Sequence, residues 1–445
     1  MKPIDRGQRG GLPRAETYVV RREALGAYVF DTVKRRVLRL DEPSVRAVEA
    51  TAAGQAVSGL PREVRAFFDE AGRPRYTRVD PLARLATAPA PLALAAPNRI
   101  YLELTRRCPA RCEACYNAAG TRLPDELDVD RWEALIDELA GLGVFEFRFT
   151  GGEPTTHPRF LELVDRALAT GRYVSIGTCA LMPREILEGL AVRPLDEIIV
   201  SYHGPAPVHD AFTGRPGSHA RTLAVLEHLT AAGRGLRLNL TLTRTTRGTV
   251  EDAFRLADRL GIRTINLIHA RPVGRGRDRG TCLTAAENYE HMRRIADFRG
   301  RYRVRVMTDF DLLRSDDDPP ARHAITDRRT SCPAGREFAF ISPEGYVFPC
   351  GVAPVAHVSA MSPAEQAVFV AGSVTERPFL EIWHTSPTWA PYRDLNLCKP
   401  DECRSCRFWG RKCYGSCPPA AFVTTGSLAG RDPCCPLTFI DDTGA

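Results

Sequence analysis

No stretch of the 445-residue chain is apolar for long enough to span a bilayer. The most apolar tract, APAPLALAAP at 88–97, is short and broken by prolines, and the opening MKPIDRGQRGGLPRAE has no apolar export segment. These absences set the expectation of a cytoplasmic protein without a membrane partner. No long Lys/Arg run or aromatic ladder is present either, so no nucleic-acid partner is expected. The formal charge is only +7, and residues 1–90 carry most of the excess, with 17 Lys and Arg against 11 Asp and Glu. A basic segment of this kind suits an acidic peptide or is simply a solvated face. Cysteine, by contrast, is abundant. A reducing compartment disfavours structural disulfides, so fourteen cysteines point to metal binding or catalysis. Three lie at 108–115, Cys179 and Cys282 stand alone, and nine follow residue 330.

Apolar content of 44% and charged content of 26% permit a sizeable core. Residues 17–72 read as three short strands (TYVVRRE, AYVFDTV, VLRLD) and two helices (EPSVRAVEATAAG, PREVRAFFDEAG), with Gly26 at a turn and Gly54 at a helix stop. The expected unit, 1–80, is a small winged-helix-like α+β domain, followed by an Ala/Pro-rich linker at 81–97 that leaves it mobile. From 98 to 275, six strands (RIYLELT, VFEFRFT, YVSIGT, EIIVSYH, LRLNLTLT, TINLIHA) alternate with five helices. That rhythm predicts an α/β fold with a parallel sheet, curled into a barrel or open and doubly wound. Either way the C-terminal strand ends form the active rim. CPARCEAC, GGEP at 151–154 and SYHG at 201–204 all follow strands at that edge. A helical connector is expected at 276–330, and a cysteine-rich domain at 331–445.

The spacing C-x3-C-x2-C at Cys108, Cys112 and Cys115 supplies three thiolates. A zinc site needs a fourth ligand, and the next 40 residues offer only His157. A [4Fe-4S] cluster also normally takes four thiolates, so three would leave one iron open to a non-protein ligand. At these residues the chain resembles the radical S-adenosylmethionine superfamily, in which this loop follows the first strand of a partial (βα)6 barrel. The resemblance implies that the open iron binds the amino and carboxylate groups of S-adenosylmethionine, which the reduced cluster splits to a 5′-deoxyadenosyl radical. An electron donor such as flavodoxin or ferredoxin is implied with it. Gly151, Gly152, Glu153 and Pro154 match the family's GGEP loop, whose glycines admit close backbone approach and whose Glu would face the cosubstrate's ammonium. Ser201 matches a ribose-binding serine, RPVGRG at 271–276 resembles a motif after the last barrel strand, and Arg244 is a candidate for the cosubstrate carboxylate. The family usually places an aromatic residue before its third cysteine. Here Ala114 stands there and Tyr116 follows Cys115. His203, where relatives tend to carry Asp, reads as an exposed strand-end histidine without a role.

After residue 330, Cys332, Gly345-x4-Cys350, Cys403-x2-Cys406-x6-Cys413-x3-Cys417 and Cys434–Cys435 resemble the SPASM domain, with the middle spacing one residue longer than usual. By that resemblance Cys332, Cys350 and Cys417 hold a first auxiliary [4Fe-4S] cluster, with Cys398 or an open position as the fourth ligand. Cys403, Cys406 and Cys413, with Cys434 or Cys435, hold a second. Read in isolation, the C-x2-C and C-x3-C pairs also suit a zinc ribbon.

SPASM enzymes mostly modify peptides or proteins. Gly351 stands where the anaerobic sulfatase maturase has its Asp base, which disfavours that reaction. Three strands followed by helices resemble the peptide-recognition element first known from pyrroloquinoline quinone biosynthesis, which takes a leader peptide as an added strand. The favoured reading is therefore an enzyme that modifies a ribosomally made precursor peptide, with the leader docking at 14–75, by crosslinking, oxidation, decarboxylation or epimerisation. Epimerisation would need a hydrogen donor, and Cys282 and Cys179 are the candidates, although inert packed thiols are the plainer reading. Two alternatives stay open: a dehydrogenase of a small alcohol or sugar, and an iron-sulfur or zinc scaffold without turnover.

Overall fold

The computed structural model describes residues 18–53, 62–68, 75–90, 92–277, 280–309, 312–313, 332–353, 357–409, 412–413 and 415–437. Gly54, the end of the second expected helix and most of the expected connector after 313 lie outside these.

Three strands, β1 (Tyr18–Arg22), β2 (Ala27–Asp31) and β3 (Arg36–Leu40), run antiparallel in sequence order. Gly26 makes the first reversal possible: at φ +85°, a Cβ there would sit 2.1 Å from the Leu40 carbonyl oxygen. Helix Glu42–Ala52 begins at Asp41, whose carboxylate accepts from the Ser44 N–H, and its buried Val45 and Val48 pack with Val20, Val29, Val64 and Phe67. The unit then gains a strand that the sequence pattern missed. β4 (Tyr76–Val79) pairs parallel to β1, giving the order β3-β2-β1-β4.

This unit is docked rather than mobile. Arg21, fully buried, bonds to Glu23 (2.7 Å), the Asn98 side chain (2.8 Å) and the carbonyls of Pro97 and Gly143 (3.0 Å each). Arg35 reaches the Asp196 carboxylate (2.8 Å) and the Gly171 carbonyl (2.9 Å), and Phe30 stacks on Phe145 at 5.6 Å. The Ala/Pro stretch corrects the linker expectation as well. Ala95 N–H donates to Glu23 (2.6 Å), Leu94 C=O accepts from the Trp383 indole (2.7 Å), and Ala95 and Ala96 are buried. Small side chains let this strap lie flat between both ends of the chain.

Six parallel strands follow: β5 (Arg99–Glu103), β6 (Glu146–Thr150), β7 (Tyr173–Thr178), β8 (Glu197–Ser201), β9 (Leu236–Leu242) and β10 (Thr264–His269). Helices 129–141, 160–169, 184–192, 218–231 and 250–260 connect them, with an extra short helix at 206–213. The sheet does not stop there. β11 (Arg305–Thr308), within the expected helical connector, extends it beyond β10. Beyond β5 it continues through β12 (Phe338–Ile341), β13 (Tyr346–Phe348) and β14 (Gly372–Ser373), ten strands in all. The cysteine-rich region is thus hydrogen-bonded to the barrel edge.

Alternation divides each central strand. Ile100, Leu102, Phe147, Phe149, Val174, Ile176, Ile198, Val200, Leu238 and Leu240 join Trp132, Leu135 and Phe160 of the outer helices in the main core. The other face is charged. Arg99 bonds Glu146 (2.6 Å), Arg148 bonds Glu146 (2.8 Å) and Glu197 (3.5 Å), and Arg237 reaches Glu197 (3.3 Å), all at most 17% exposed. Removing one partner from such a network strands the others in low dielectric. Glu146→Ala is expected to destabilise the protein by about 3–5 kcal/mol. The exposed pair Arg166–Asp137 is the control: Arg166→Ala should leave the denaturant midpoint unmoved while Glu146→Ala lowers it sharply.

Candidate active site

Three loops converge at the C-terminal ends of β5, β6 and β7. The first carries the cysteine triplet. Its entry is fixed by a two-way exchange, Cys108 N–H to Gly120 C=O (3.0 Å) and Gly120 N–H to Arg106 C=O (2.8 Å), and its middle by Arg111 N–H to Thr213 C=O (2.8 Å). The second loop, GGEP, lies across the chain entering the first: Gly152 N–H donates to Thr105 C=O (2.7 Å) and Glu153 N–H to Arg107 C=O (2.8 Å). A Cβ on Gly152 would stand 2.5 Å from the Arg107 carbonyl oxygen, and one on Gly151 would stand 2.8 Å from that of Thr105. The glycines are there because two backbones touch.

Glu153 is fully buried. Its Oε1 accepts from the hydroxyls of Thr155 (2.7 Å) and Thr178 (2.8 Å), and its Oε2 from the Cys179 N–H (2.6 Å). The carboxylate therefore ties the GGEP loop to the end of β7. That tie also places Cys179 in the site. Its thiol donates to the Cys108 sulfur and holds that thiol below the usual range, while Cys179 itself is held far above it. A fourth thiol, solitary in the sequence, thus stands against the triplet. Burial pushes Cys112 up to about 12 and also raises Cys115. Thiols so placed become ligands only where positive charge offsets the burial, as iron does.

RPVGRG closes the loop from the far side. Arg275 donates from Nε to Cys112 C=O (2.8 Å), from Nη1 to Ala119 C=O (2.8 Å) and from its N–H to Cys115 C=O (2.9 Å). Gly274, at φ +54°, has the Tyr116 and Cys115 carbonyl oxygens 2.2 and 2.4 Å from where a Cβ would be. Arg275 was quoted in the motif without a role; no spacing rule marks it. Asn117 was likewise missed. Buried two residues past Cys115, it contacts that thiol at 2.9 Å and donates to the Glu103 carboxylate (2.6 Å). Burial raises Glu103 to about 7.

The remaining candidates divide. Ser201 ends β8 at the same rim. Arg244 is on the exposed rim, bonded to Gly280 C=O (3.3 Å) and Glu287 (3.5 Å), and does not join the thiols. Tyr116 is half-buried, and its ring packs beside Phe340 and Gly351. His203 corrects the expectation of exposure: it is 4% exposed, 3.8 Å from the Phe212 ring, and burial holds it far below the usual imidazole range. Cys282 is buried, with its thiol 3.7 Å from the Gly276 carbonyl.

The C-terminal cysteines form two groups. Burial raises Cys350 and brings Cys417 to about 12, and in both the neighbouring Cys332 sulfur adds to the rise. Cys403, raised to about 11 by burial, has Cys435 and Cys406 as neighbours, and Cys413 is raised beside Cys435 and Cys403. Cys434 turns away: its thiol donates to Ala270 C=O (3.3 Å) and its carbonyl accepts from Asn288 (2.8 Å). Asp432 ties this segment to Cys417 and to the barrel. It accepts from the N–H groups of Cys417 (3.0 Å) and Cys434 (2.8 Å) and pairs with Arg271 of the barrel (3.2 Å). Among the described residues, no three of His, Cys, Asp or Glu gather tightly enough to hold a single metal ion. The donor set of grouped, mostly half-buried thiols fits iron-sulfur clusters.

A parallel partial barrel with a three-thiol loop at its C-terminal rim and grouped thiols beyond its edge defines an iron-sulfur enzyme. Residues 102–257 match the radical SAM superfamily and 332–407 match SPASM, an iron-sulfur cluster-binding domain. Relatives include the mycofactocin maturase MftC of Mycobacterium ulcerans (32% identical, 77% of this chain, 88% of that protein) and a PqqA peptide cyclase of Gluconobacter oxydans (30%; 78% and 92%). The AdoMet-dependent heme synthase of Methanosarcina barkeri is 28% identical (76% and 96%). Among solved structures, Streptococcus suis SuiB bound to its precursor peptide SuiA shares the fold at TM-score 0.67 and 15% identity, over 95% of this chain and 98% of that one. AdoMet-bound anSMEcpe does so at 0.59 and 16%, over 77% and 96%. The chain belongs to the radical SAM superfamily and carries a SPASM domain. It is a radical SAM enzyme, with S-adenosylmethionine and a [4Fe-4S] cluster as cofactors.

Gly274→Ala should move the triplet loop by forcing a methyl against two of its carbonyls. The expected outcome is at least about a tenfold loss of S-adenosylmethionine cleavage, equivalent to about 1.4 kcal/mol, with less iron retained and unchanged far-ultraviolet circular dichroism.

Proposed function

We propose that this enzyme modifies a ribosomally made precursor peptide whose leader docks on the N-terminal unit. Peptide cyclases and a peptide maturase among the relatives support the chemistry. The observation that carries the docking is the edge of the N-terminal sheet. Among the described residues β3 has a strand on one side only, and Arg36 and Arg39 are exposed along it. An extended acidic segment can add there as a further strand. SuiB covers 95% of this chain while anSMEcpe covers 77%, a difference the size of the N-terminal unit.

In this reading Cys108, Cys112 and Cys115 hold the loop cluster, and Gly151, Gly152 and Ser201 border the cosubstrate. Cys332, Cys350 and Cys417 serve a first auxiliary cluster, and Cys403, Cys406, Cys413 and Cys435 a second. A [4Fe-4S] cluster held by Cys108, Cys112 and Cys115 would, with an electron from a donor such as flavodoxin or ferredoxin, supply the reductive C–S cleavage of S-adenosylmethionine to methionine and a 5′-deoxyadenosyl radical for hydrogen abstraction. The protein's own part is to exclude water, fix the loop through Arg275 and Asn117, and present a polar lumen to the peptide.

Arg21 and Arg35 dock the N-terminal unit at residues preceding β5 to β8, the barrel end opposite the thiol loop. Strands of five to seven residues make that separation about 17–23 Å. An extended chain covers about 3.3–3.6 Å per residue, so rounding the barrel edge takes roughly ten residues. Shortening the segment between docked leader and modified residue below that length should abolish modification without weakening binding, read by anisotropy and mass spectrometry.

The deciding experiment is anaerobic incubation of reconstituted protein, about twelve irons per chain, with reductant, S-adenosylmethionine and the precursor peptide. Deoxyadenosine together with a changed peptide mass or stereochemistry is expected. Arg36→Glu with Arg39→Glu should weaken peptide binding at least about tenfold and leave peptide-free S-adenosylmethionine cleavage intact. These substitutions are preferable to deleting 1–80, which would uncover Phe145 and strand Asp196. Deoxyadenosine with a peptide unchanged in mass and stereochemistry would sink the proposal and turn attention to small molecules, the tetrapyrrole class of the heme synthase first.

A further inference from the structure

Resting on the iron-sulfur reading of the C-terminal region, we infer that Cys398 is the fourth thiolate of the first auxiliary cluster, with the Tyr392 hydroxyl donating to its sulfurs. The family motif leaves this position open, and the chain has no cysteine between Cys282 and Cys332 to fill it. Cys398 ends the short helix Leu395–Cys398 and is 8% exposed. It lines one cavity together with Cys332, Ala334, Tyr392 and Pro418, the last adjoining Cys417. Burial and the nearby Cys332 sulfur raise its thiol to about 11, the same pairing that acts on Cys350 and Cys417.

Tyr392 supplies an independent observation. Its ring is 2% exposed, packed with Ala334 and Phe338, and its hydroxyl has no hydrogen-bond partner among the described residues. A buried phenol needs an acceptor. The charged neighbours acting on it are four sulfurs: Cys350, Cys417, Cys332 and Cys398. Two of them, Cys332 and Cys398, line one cavity with Tyr392. Other thiols are committed elsewhere, Cys434 to Ala270 C=O and Cys282 to Gly276 C=O, while Cys435 neighbours Cys403 and Cys413.

Four thiolates saturate the cluster, so no iron remains there to hold substrate. The peptide is then positioned without iron from this cluster, which serves structure or electron transfer.

The test uses full-length protein loaded with 57Fe and saturated with S-adenosylmethionine, which covers the open iron of the loop cluster. Cyanide is the probe, followed by Mössbauer and pulsed electron paramagnetic resonance spectroscopy. Wild type should bind no cyanide at iron. Cys398→Ala should bind about one per chain, and Cys398→Ser should bind less than Cys398→Ala. Tyr392→Phe should keep its iron and shift one reduction potential to more negative values, because a sulfur loses a hydrogen bond. Cyanide-bound iron in wild type would overturn the inference without needing any variant to fold, as would a Cys398→Ala protein with wild-type spectra. About four irons per chain would instead overturn the iron-sulfur reading of the whole C-terminal region, an outcome the iron count identifies by itself.

Discussion

The structure rests on a parallel sheet that has only one apolar face. Parallel strands covered by helices on both sides are hydrophobic throughout, yet here most inward residues of β5 to β9 are polar or charged, Gly177 and Ile199 being exceptions. Arg99, Glu146, Arg148, Glu197 and Arg237 compensate one another across four strands. Such a network contributes little net stability compared with an apolar filling, and breaking it is expensive. What it secures is a polar barrel interior, filled by paired charges at most 17% exposed. With helices confined to the outer face, the strand ends and the lumen are left for chemistry.

The loops at that rim are held by backbone contacts more than by side chains. Gly151, Gly152 and Gly274 occur where one backbone lies directly on another, and Arg275 donates to three carbonyls of the triplet loop. The thiols are consequently crowded and half-buried, which disfavours their ionised forms until iron supplies the compensating charge. Iron binding and the final packing of these loops are one event, and the same holds in the C-terminal region.

That region is joined to the barrel at several points. β12 pairs with β5, Tyr116 of the triplet loop packs near Gly351, and Arg271 pairs with Asp432 between Cys417 and Cys434. The two thiol groups are therefore positioned by the barrel. The N-terminal unit is likewise fixed, by Arg21 and Arg35, at the opposite barrel end.

Sequence alone determined the chemistry and most of the barrel. C-x3-C-x2-C, GGEP and the trailing cysteine spacings are local patterns, and the six strands show because their outer faces alternate regularly with helical segments. β4, β11 and the strap at 81–97 were missed or misread, since each owes its state to a distant partner: β1, β10, and Glu23 with Trp383. Only the tertiary structure brought Cys179 to Cys108, turned Cys434 away from the group that takes Cys435, buried His203 and placed Arg244 on the surface. Spacing encodes which residues a short loop brings together. Contacts between residues hundreds of positions apart depend on which strands become neighbours and which faces the sheet then buries.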